Sequence, residues 1–155
     1  MSLETSLFVR KIFSSNFTNN VKNYPLARKV MDLIEPSQLI EMIGYNRTEV
    51  TLLMNACNAL LVTSKNESGP LVVKEAMACG CPLVSTDVGD VKYVIGETEG
   101  CFVTTFEPED IAEKLNMAIS IGRCNGRERI IKLGLDIEKV AENIISVYQR
   151  VLDVA

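Results

Sequence analysis

Two periods alternate along the chain. Short continuous apolar runs are separated by stretches whose apolar positions recur every three or four residues. Leu7-Phe8-Val9-Arg10-Lys11-Ile12-Phe13 reads as a first strand. Pro25 to Glu35 reads as a helix with Leu26, Val30, Leu33 and Ile34 on one face. Leu39 to Ile43 is a second strand, stopped by Gly44, and Thr48 to Cys57 is a helix turning Val50, Leu53, Met54 and Cys57 inward. Ala59-Leu60-Leu61-Val62-Thr63 is a third strand. Pro70 suits the first turn of the next helix, where its missing N–H costs nothing, and Gly80 suits that helix's left-handed cap. Pro82 to Ser85 is a fourth strand, Val91 to Ile95 a short helix, and Cys101 to Val103 a fifth strand. Pro108 opens another helix, with Glu109 and Asp110 placed to favour its dipole. Ile121 to Asn125, flanked by Gly122 and Gly126, is the nearest thing to a break. Asp136 to Leu152 bears the broadest stripe: Ile137, Val140, Ala141, Ile144, Ile145, Tyr148, Val151 and Leu152.

Strands that alternate with helices predict an α/β chain. The expected form is a Rossmann-like three-layer αβα domain with a parallel sheet. Ligands of such sheets bind beyond the carboxyl ends of the strands. That rule selects the loops after Phe13, Gly44, Thr63 and Ser85.

Composition narrows the function. The 155 residues make one domain with a substantial core, and a net charge of −4 argues against nucleic-acid binding at large. No apolar run approaches the ~20 residues a membrane-spanning helix needs, and the first residues show no apolar signal core. The five cysteines include no Cys-x-x-Cys pair. They read as reduced core residues of a cytoplasmic protein, with Cys79-Gly80-Cys81 left open as a redox pair. The chain has no histidine. The commonest general acid or base is therefore missing, and a zinc site is disfavoured.

The densest chemistry lies in Ser64-Lys65-Asn66-Glu67-Ser68-Gly69-Pro70-Leu71-Val72-Val73-Lys74-Glu75. Glu67 is expected in the loop beyond the third strand and Glu75 in the second turn of the following helix. Between them the helix start at Pro70-Leu71-Val72 offers free backbone N–H groups, a site suited to phosphate. Two carboxylates beside it suit hydroxyl groups instead, because an ionised carboxylate accepts hydrogen bonds and can chelate a vicinal diol. Diphosphate and diols together describe a nucleotide sugar. Spacing alone leaves both glutamates equally readable as solvated surface residues. Val72, Ala76 and Cys79 are expected to mark the helix's buried face, with Glu75 adjoining it. Lys65, Lys74 and the basic cluster Arg123, Arg127, Arg129 and Lys132 read first as solvated.

The block Glu75-Ala76-Met77-Ala78-Cys79-Gly80-Cys81-Pro82-Leu83-Val84-Ser85, preceded by Ser64, Glu67 and Gly69 and followed by Asp87-Val88-Gly89-Asp90, resembles the donor-binding domain of the retaining GT-B-fold glycosyltransferases, the glycosyl transferases group 1 family. This is the group of glycogen and sucrose synthases and many bacterial polysaccharide glycosyltransferases. Glu99-Gly100 and Glu107-Pro108-Glu109-Asp110-Ile111-Ala112 also fit. The resemblance implies one half of a GT-B fold, its C-terminal donor-binding domain. It implies Glu67 on the donor sugar's hydroxyls and Glu75 on the ribose diol. Lys22, in Asn20-Val21-Lys22-Asn23, matches the phosphate-binding lysine, so that Lys22 and Glu67 are the catalytic candidates. Backbone at Gly69, Leu71 and Val72 would face sugar and phosphate, with Ser64, Ser68 and Pro70 completing the donor set. Gly44-Tyr45-Asn46 would frame the nucleobase.

The chemistry so implied is transfer of a sugar, with retention, from a nucleotide-diphosphate donor to a glycan or lipid-linked acceptor. It needs no metal and no cofactor, since a lysine and helix-end amides stabilise the leaving diphosphate. Departures from the pattern are Ser68-Gly69-Pro70 where Gly-Phe-Gly is usual, Asp90 where a second glycine is usual, and no arginine near the end of the first strand. An N-terminal acceptor domain would be absent from this chain. The expected partners are that domain, the donor and the acceptor, with peripheral association at the inner face of the membrane an option. A non-catalytic nucleotide-sugar sensor and a nucleotide-sugar epimerase share the fold and stand as alternatives. Neither Gly-x-Gly-x-x-Gly nor Gly-x-x-x-x-Gly-Lys-Ser/Thr is present, which disfavours dehydrogenases and nucleotide triphosphatases.

Overall fold

A computed structural model of the chain describes residues 10–14 and 17–153. Five strands form one sheet: β1 (Arg10–Ser14), β2 (Ser37–Glu41), β3 (Ala59–Val62), β4 (Leu83–Thr86) and β5 (Cys101–Thr104). All neighbours pair in parallel, in the order β2-β1-β3-β4-β5. The helices are α1 (Tyr24–Leu33), α2 (Arg47–Ala56), α3 (Leu71–Ala78), α4 (Val91–Ile95), α5 (Pro108–Ile121), α6 (Gly126–Lys132) and α7 (Ile137–Leu152). A short 3₁₀ turn at Asn20–Lys22 leads into α1.

Strand β3, at the centre of the sheet, is apolar at every position because both its faces are covered. In β3, Leu60 and Val62 point to one side, and Ala59 and Leu61 to the other. The first pair joins a core with Met54, Val73, Ala76, Met77, Val91, Ile95 and Ile130, from α2, α3, α4 and α6. The second joins Leu26, Val30, Met31, Ile111 and Leu115, from α1 and α5. The result is three layers, helices on both faces of a parallel sheet.

Local signals account for most boundaries. Asn46 and Glu49 form a capping box at the start of α2, with the Asn46 Oδ1 accepting from the Glu49 amide at 3.0 Å. At the turn before α5 the Asp110 carboxylate accepts from Thr104 Oγ1 at 2.7 Å and from the Thr105 amide at 2.9 Å, and it pairs with Lys114. Lys114 and those hydrogen bonds hold the Asp110 carboxyl well below the usual carboxylate range.

Four expectations need correction. The first strand runs Arg10–Ser14, and positions 7–9 lie outside the described residues. Pro70 is the N-cap of α3 rather than part of its first turn. The buried face of α3 is Val73, Ala76 and Met77, with Val72 and Cys79 only half-buried, because this segment is apolar almost all round and its period is ambiguous. Finally, α6 occupies a stretch for which the sequence suggests only a solvated basic surface and no element.

Candidate functional site

The strand order places the ligand crevice. The chain steps from β1 outward to β2, then returns to the other side of β1 for β3, β4 and β5. The connections after β1 and β3 therefore diverge, leaving a crevice at the carboxyl ends of those strands where ligands of open α/β sheets settle. Lys22 lies in the connection after β1; Ser64 and Glu67 lie in the connection after β3.

The structure brings these three residues together. Lys22 Nζ donates to Glu67 Oε1 in an ion pair, with both side chains mostly sheltered from solvent. Ser64 Oγ, fully buried, donates to the same Oε1 at 2.9 Å. Glu67 Oε2 takes no hydrogen bond from any described residue. The backbone of the crevice is fixed as well. Thr63 Oγ1 donates to the Lys22 carbonyl at 2.8 Å, and the Lys65 amide to the Val21 carbonyl at 2.8 Å. Thr86 Oγ1 donates to the Ser64 carbonyl at 2.7 Å, so that β4 braces the β3 loop. Sequence reasoning missed Thr63 and Thr86. Thr86 closes β4 and Thr63 directly follows β3, positions where a hydroxyl can satisfy loop carbonyls that the ladder no longer reaches.

Ser68 and Gly69 form the crevice's far wall, against the loop after β4. Gly89 has a left-handed φ of +56°, and a Cβ there would lie 2.6 Å from the Ser68 carbonyl carbon. Only glycine permits that approach. A Cβ on Gly69 would lie 3.1 Å from Asp90 Oδ1. Asp90 in turn pairs with Lys74 Nζ at 2.7 Å. Lys74 is thus a bound, half-buried residue rather than a solvated one, and its charge is answered by Asp90. At the α3 start, no side chain caps the amides that follow Pro70. The first amides of a helix have no carbonyl one turn back, so Leu71 and Val72 present donors and a positive dipole end.

Glu75 stands apart from this cluster. It is half-buried and takes no hydrogen bond or ion pair from any described residue. It lines a groove of about 220 Å³ between α2 and α3, with Arg47, Val50, Thr51 and Met54 on one wall and Leu71, Ala78 and Cys79 on the other. On its other side it reaches a second groove of about 580 Å³ between α3 and α6, whose walls include Arg127, Ile130 and Leu135. Gly44, Tyr45 and Asn46 lie at the exit of β2 and lead directly into Arg47. Tyr45 is exposed and does not line either groove. Arg47 beside Glu75 was not singled out by the sequence, and Arg127 stood out there only as one member of a basic cluster read as solvated.

Arg10 and Lys11 do not replace the missing arginine. They begin β1, at the edge opposite the crevice, where Arg10 Nη1 donates to Asn116 Oδ1 at 3.0 Å. Two members of the basic cluster are likewise structural. Arg123 donates to Asn55 Oδ1 and the Cys79 carbonyl, and Arg129 to the Tyr93 and Val94 carbonyls at the end of α4. Among the described residues no Cys, Asp or Glu cluster is placed to hold a metal, and no helix is long and apolar enough to cross a membrane.

Comparison with known proteins agrees with the fold. A glycosyltransferase of Methanocaldococcus jannaschii, itself uncharacterized, is 30% identical over 139 residues, covering 83% of this chain and 39% of its own length. Sucrose-phosphate synthase from Thermosynechococcus elongatus superposes with a TM-score of 0.77 at 20% identity, over 95% of this chain and 46% of that one. HepE of Anabaena, solved with UDP and glucose, superposes at 0.62 and 20% identity, over 92% of this chain and 40% of its own. The chain thus spans less than half the length of each. The family model for glycosyl transferases group 1 matches residues 17–135, the segment that holds the crevice, both glutamates and Lys22, and the chain belongs to that family.

Proposed function

We propose that this chain is the donor-binding, C-terminal half of a two-domain glycosyltransferase that transfers sugar with retention from a nucleotide-diphosphate donor. One observation carries the reading: Lys22, Ser64 and Glu67 meet across the switch point of the sheet, beside the uncapped start of α3. Each part answers a part of the donor. The diphosphate, anionic and growing more so as the sugar leaves, takes the Lys22 ammonium and the first amides of α3. Glu67 Oε2, free of described partners, accepts hydroxyls of the donor sugar. Glu75 accepts the ribose diol at the mouth of the α2–α3 groove, and the backbone of Gly44, Tyr45 and Asn46 borders the base. Departure of the diphosphate needs electrostatic stabilisation rather than a histidine, and the leaving phosphate itself assists the acceptor's deprotonation. No metal is required for that step.

The acceptor, a glycan or a lipid-linked one, is held by a second domain outside this chain. The last helix supports such a partner. Every residue of α7 is exposed, although Ile137, Val140, Ile144, Ile145, Val147, Tyr148, Val151 and Leu152 give it a broad apolar side. A stripe of that breadth is ordinarily covered.

Melting of the chain against UDP-, GDP-, ADP- and CDP-sugars tests the donor. A ligand at about a hundred times its dissociation constant stabilises by about 2.7 kcal/mol. The midpoint should then rise by roughly 2–4 °C per kcal/mol for a domain of this size. One nucleotide class should respond. Flat midpoints with all four, at concentrations that saturate related enzymes, would overturn the donor assignment.

A further inference from the structure

The loop after β4 meets the start of α3 at one acidic side chain. Asp90 stands at the N-cap of α4, where an aspartate ordinarily accepts from the amides of its own helix. Its side chain makes no such bond. The carboxylate turns across to the far wall of the crevice instead. Oδ2 accepts from Lys74 Nζ at 2.7 Å, and Oδ1 takes no hydrogen bond from any described residue. A Cβ on Gly69 would lie 3.1 Å from Oδ1 and 3.2 Å from both Cγ and Oδ2, so the whole carboxylate lies against the Ser68-Gly69 turn. Lys74 reaches it because helical side chains lean toward the helix N-terminus. The two loops are also in contact through their backbones, at Gly89 and Ser68.

Two of the chain's departures from the family pattern thus depend on each other. Glycine stands at 69 where phenylalanine is usual, and aspartate at 90 where glycine is usual. The room conceded by the first is taken by the carboxylate of the second. The result repeats the arrangement of Glu67. Each carboxylate has one oxygen held by a lysine, Lys22 or Lys74, and the other without a described partner. The side chains of Glu67 and Asp90 keep 18% and 39% of their exposure, so both remain open to a ligand.

We infer that Asp90 is a specificity-determining residue of the donor site, oriented by Lys74 so that Oδ1 accepts a hydrogen bond from a neutral donor sugar. The inference rests on the donor reading given above. Glu67 acts from one end of the Ser68-Gly69 turn and Asp90 from the other. An ionised carboxylate accepts only, so this wall favours sugars that present hydroxyl or amide N–H groups. It also repels a sugar that carries a carboxylate of its own, a selection made by unfavourable charge rather than by fit. Lys74 is a positioning residue: it holds Oδ2 and thereby sets the direction of Oδ1.

The test compares nucleotides with and without sugar by calorimetric titration of the chain. If uridine is the base that responds in melting, the probes are UDP, UDP-glucose, UDP-N-acetylglucosamine and UDP-glucuronic acid. If guanosine responds, they are GDP, GDP-mannose and GDP-mannuronic acid. Asp90→Ala should weaken the tightest neutral donor about tenfold, the loss of one hydrogen bond to a charged group, and move the free nucleoside diphosphate less than twofold. A merely structural role would weaken both alike. The wild-type chain should bind the uronic-acid donor at least tenfold more weakly than the neutral one, and Asp90→Asn, which keeps the shape and removes the charge, should narrow that ratio. Lys74→Met should weaken the neutral donor less than Asp90→Ala does, and Lys74→Arg should restore it. Equal losses for donor and nucleoside diphosphate, or no loss for either, would overturn the inference and leave the donor reading standing. So would a uronic-acid donor bound as tightly as the neutral one, a comparison that needs no variant to fold. A wild-type chain that binds no nucleoside diphosphate at all would overturn both.

Discussion

Glu67 and Glu75 belong to one short stretch, yet the fold treats them in opposite ways. In the β1–β3 crevice, Glu67 is already engaged: Lys22 neutralises it and Ser64 fixes one oxygen, so its second oxygen points with a defined geometry. In the α2–α3 groove, Glu75 is half-buried and has no partner among the described residues. A partly buried carboxylate with no donor of its own gives up solvation without compensation. The difference teaches a division of labour. A residue held by its neighbours changes little when a ligand arrives and serves to position it. A residue left unsatisfied gains most on binding and serves affinity.

The largest expected effect follows from Glu75. Glu75→Gln removes an ionised acceptor from a diol, worth about 1.5–3 kcal/mol for hydrogen bonds to a charged group, or roughly 10- to 150-fold in donor affinity. Stability without donor should stay within about 0.5 kcal/mol, because no described contact is lost. Calorimetric titration with the responsive nucleotide sugar reads the first quantity, and denaturant unfolding the second. A variant that unfolds readily but binds normally would reverse the roles assigned to the two glutamates.

The crevice should behave the other way. Lys22→Met and Glu67→Gln each leave a sheltered charge or dipole without its partner, and each should cost about 1–2 kcal/mol of stability, less than a fully buried pair because both side chains keep some exposure. The double variant should cost clearly less than the sum, since the second change removes a group already orphaned by the first. Unfolding free energies of the four chains give the coupling directly. Strict additivity would mean that the ion pair does not hold Glu67.

How much of this was visible beforehand depends on the range of each interaction. The strands and α1 to α5 were legible to within a few residues, because apolar period is a local property. The glutamates were legible for the same reason: a loop, a helix start and one further turn lie within twelve residues of sequence. The Lys22–Glu67 pair was not, because its members lie 45 positions apart and only the parallel order of β1 and β3 unites them. Helix α6 was missed because its buried side is Gly126 and Ile130, and a glycine seated on Met77 leaves no hydrophobic signal. α1 and α7 make the complementary point. Both have one apolar side, but α1 buries Leu26, Ala27, Val30 and Met31 against the sheet, whereas α7 buries nothing. Periodicity states that a face wants cover and does not say which surface supplies it.

The smallest effect expected comes from Ser64, and it separates two explanations of how Glu67 is held. Ser64 is fully buried, and its hydroxyl donates to the same Glu67 oxygen as Lys22. Ser64→Ala deletes one hydrogen bond and leaves the ion pair, so stability should fall by about 0.5–1.5 kcal/mol. Donor affinity should fall no more than a few fold, since Glu75 and the α3 amides are untouched. If charge pairing holds Glu67, Ser64→Ala should remain milder than Lys22→Met by both unfolding and titration. If instead it matches Lys22→Met, the hydroxyl orients the carboxylate and the lysine merely neutralises it. Lys22 would then be free to turn toward the diphosphate without disturbing the sugar's ligand.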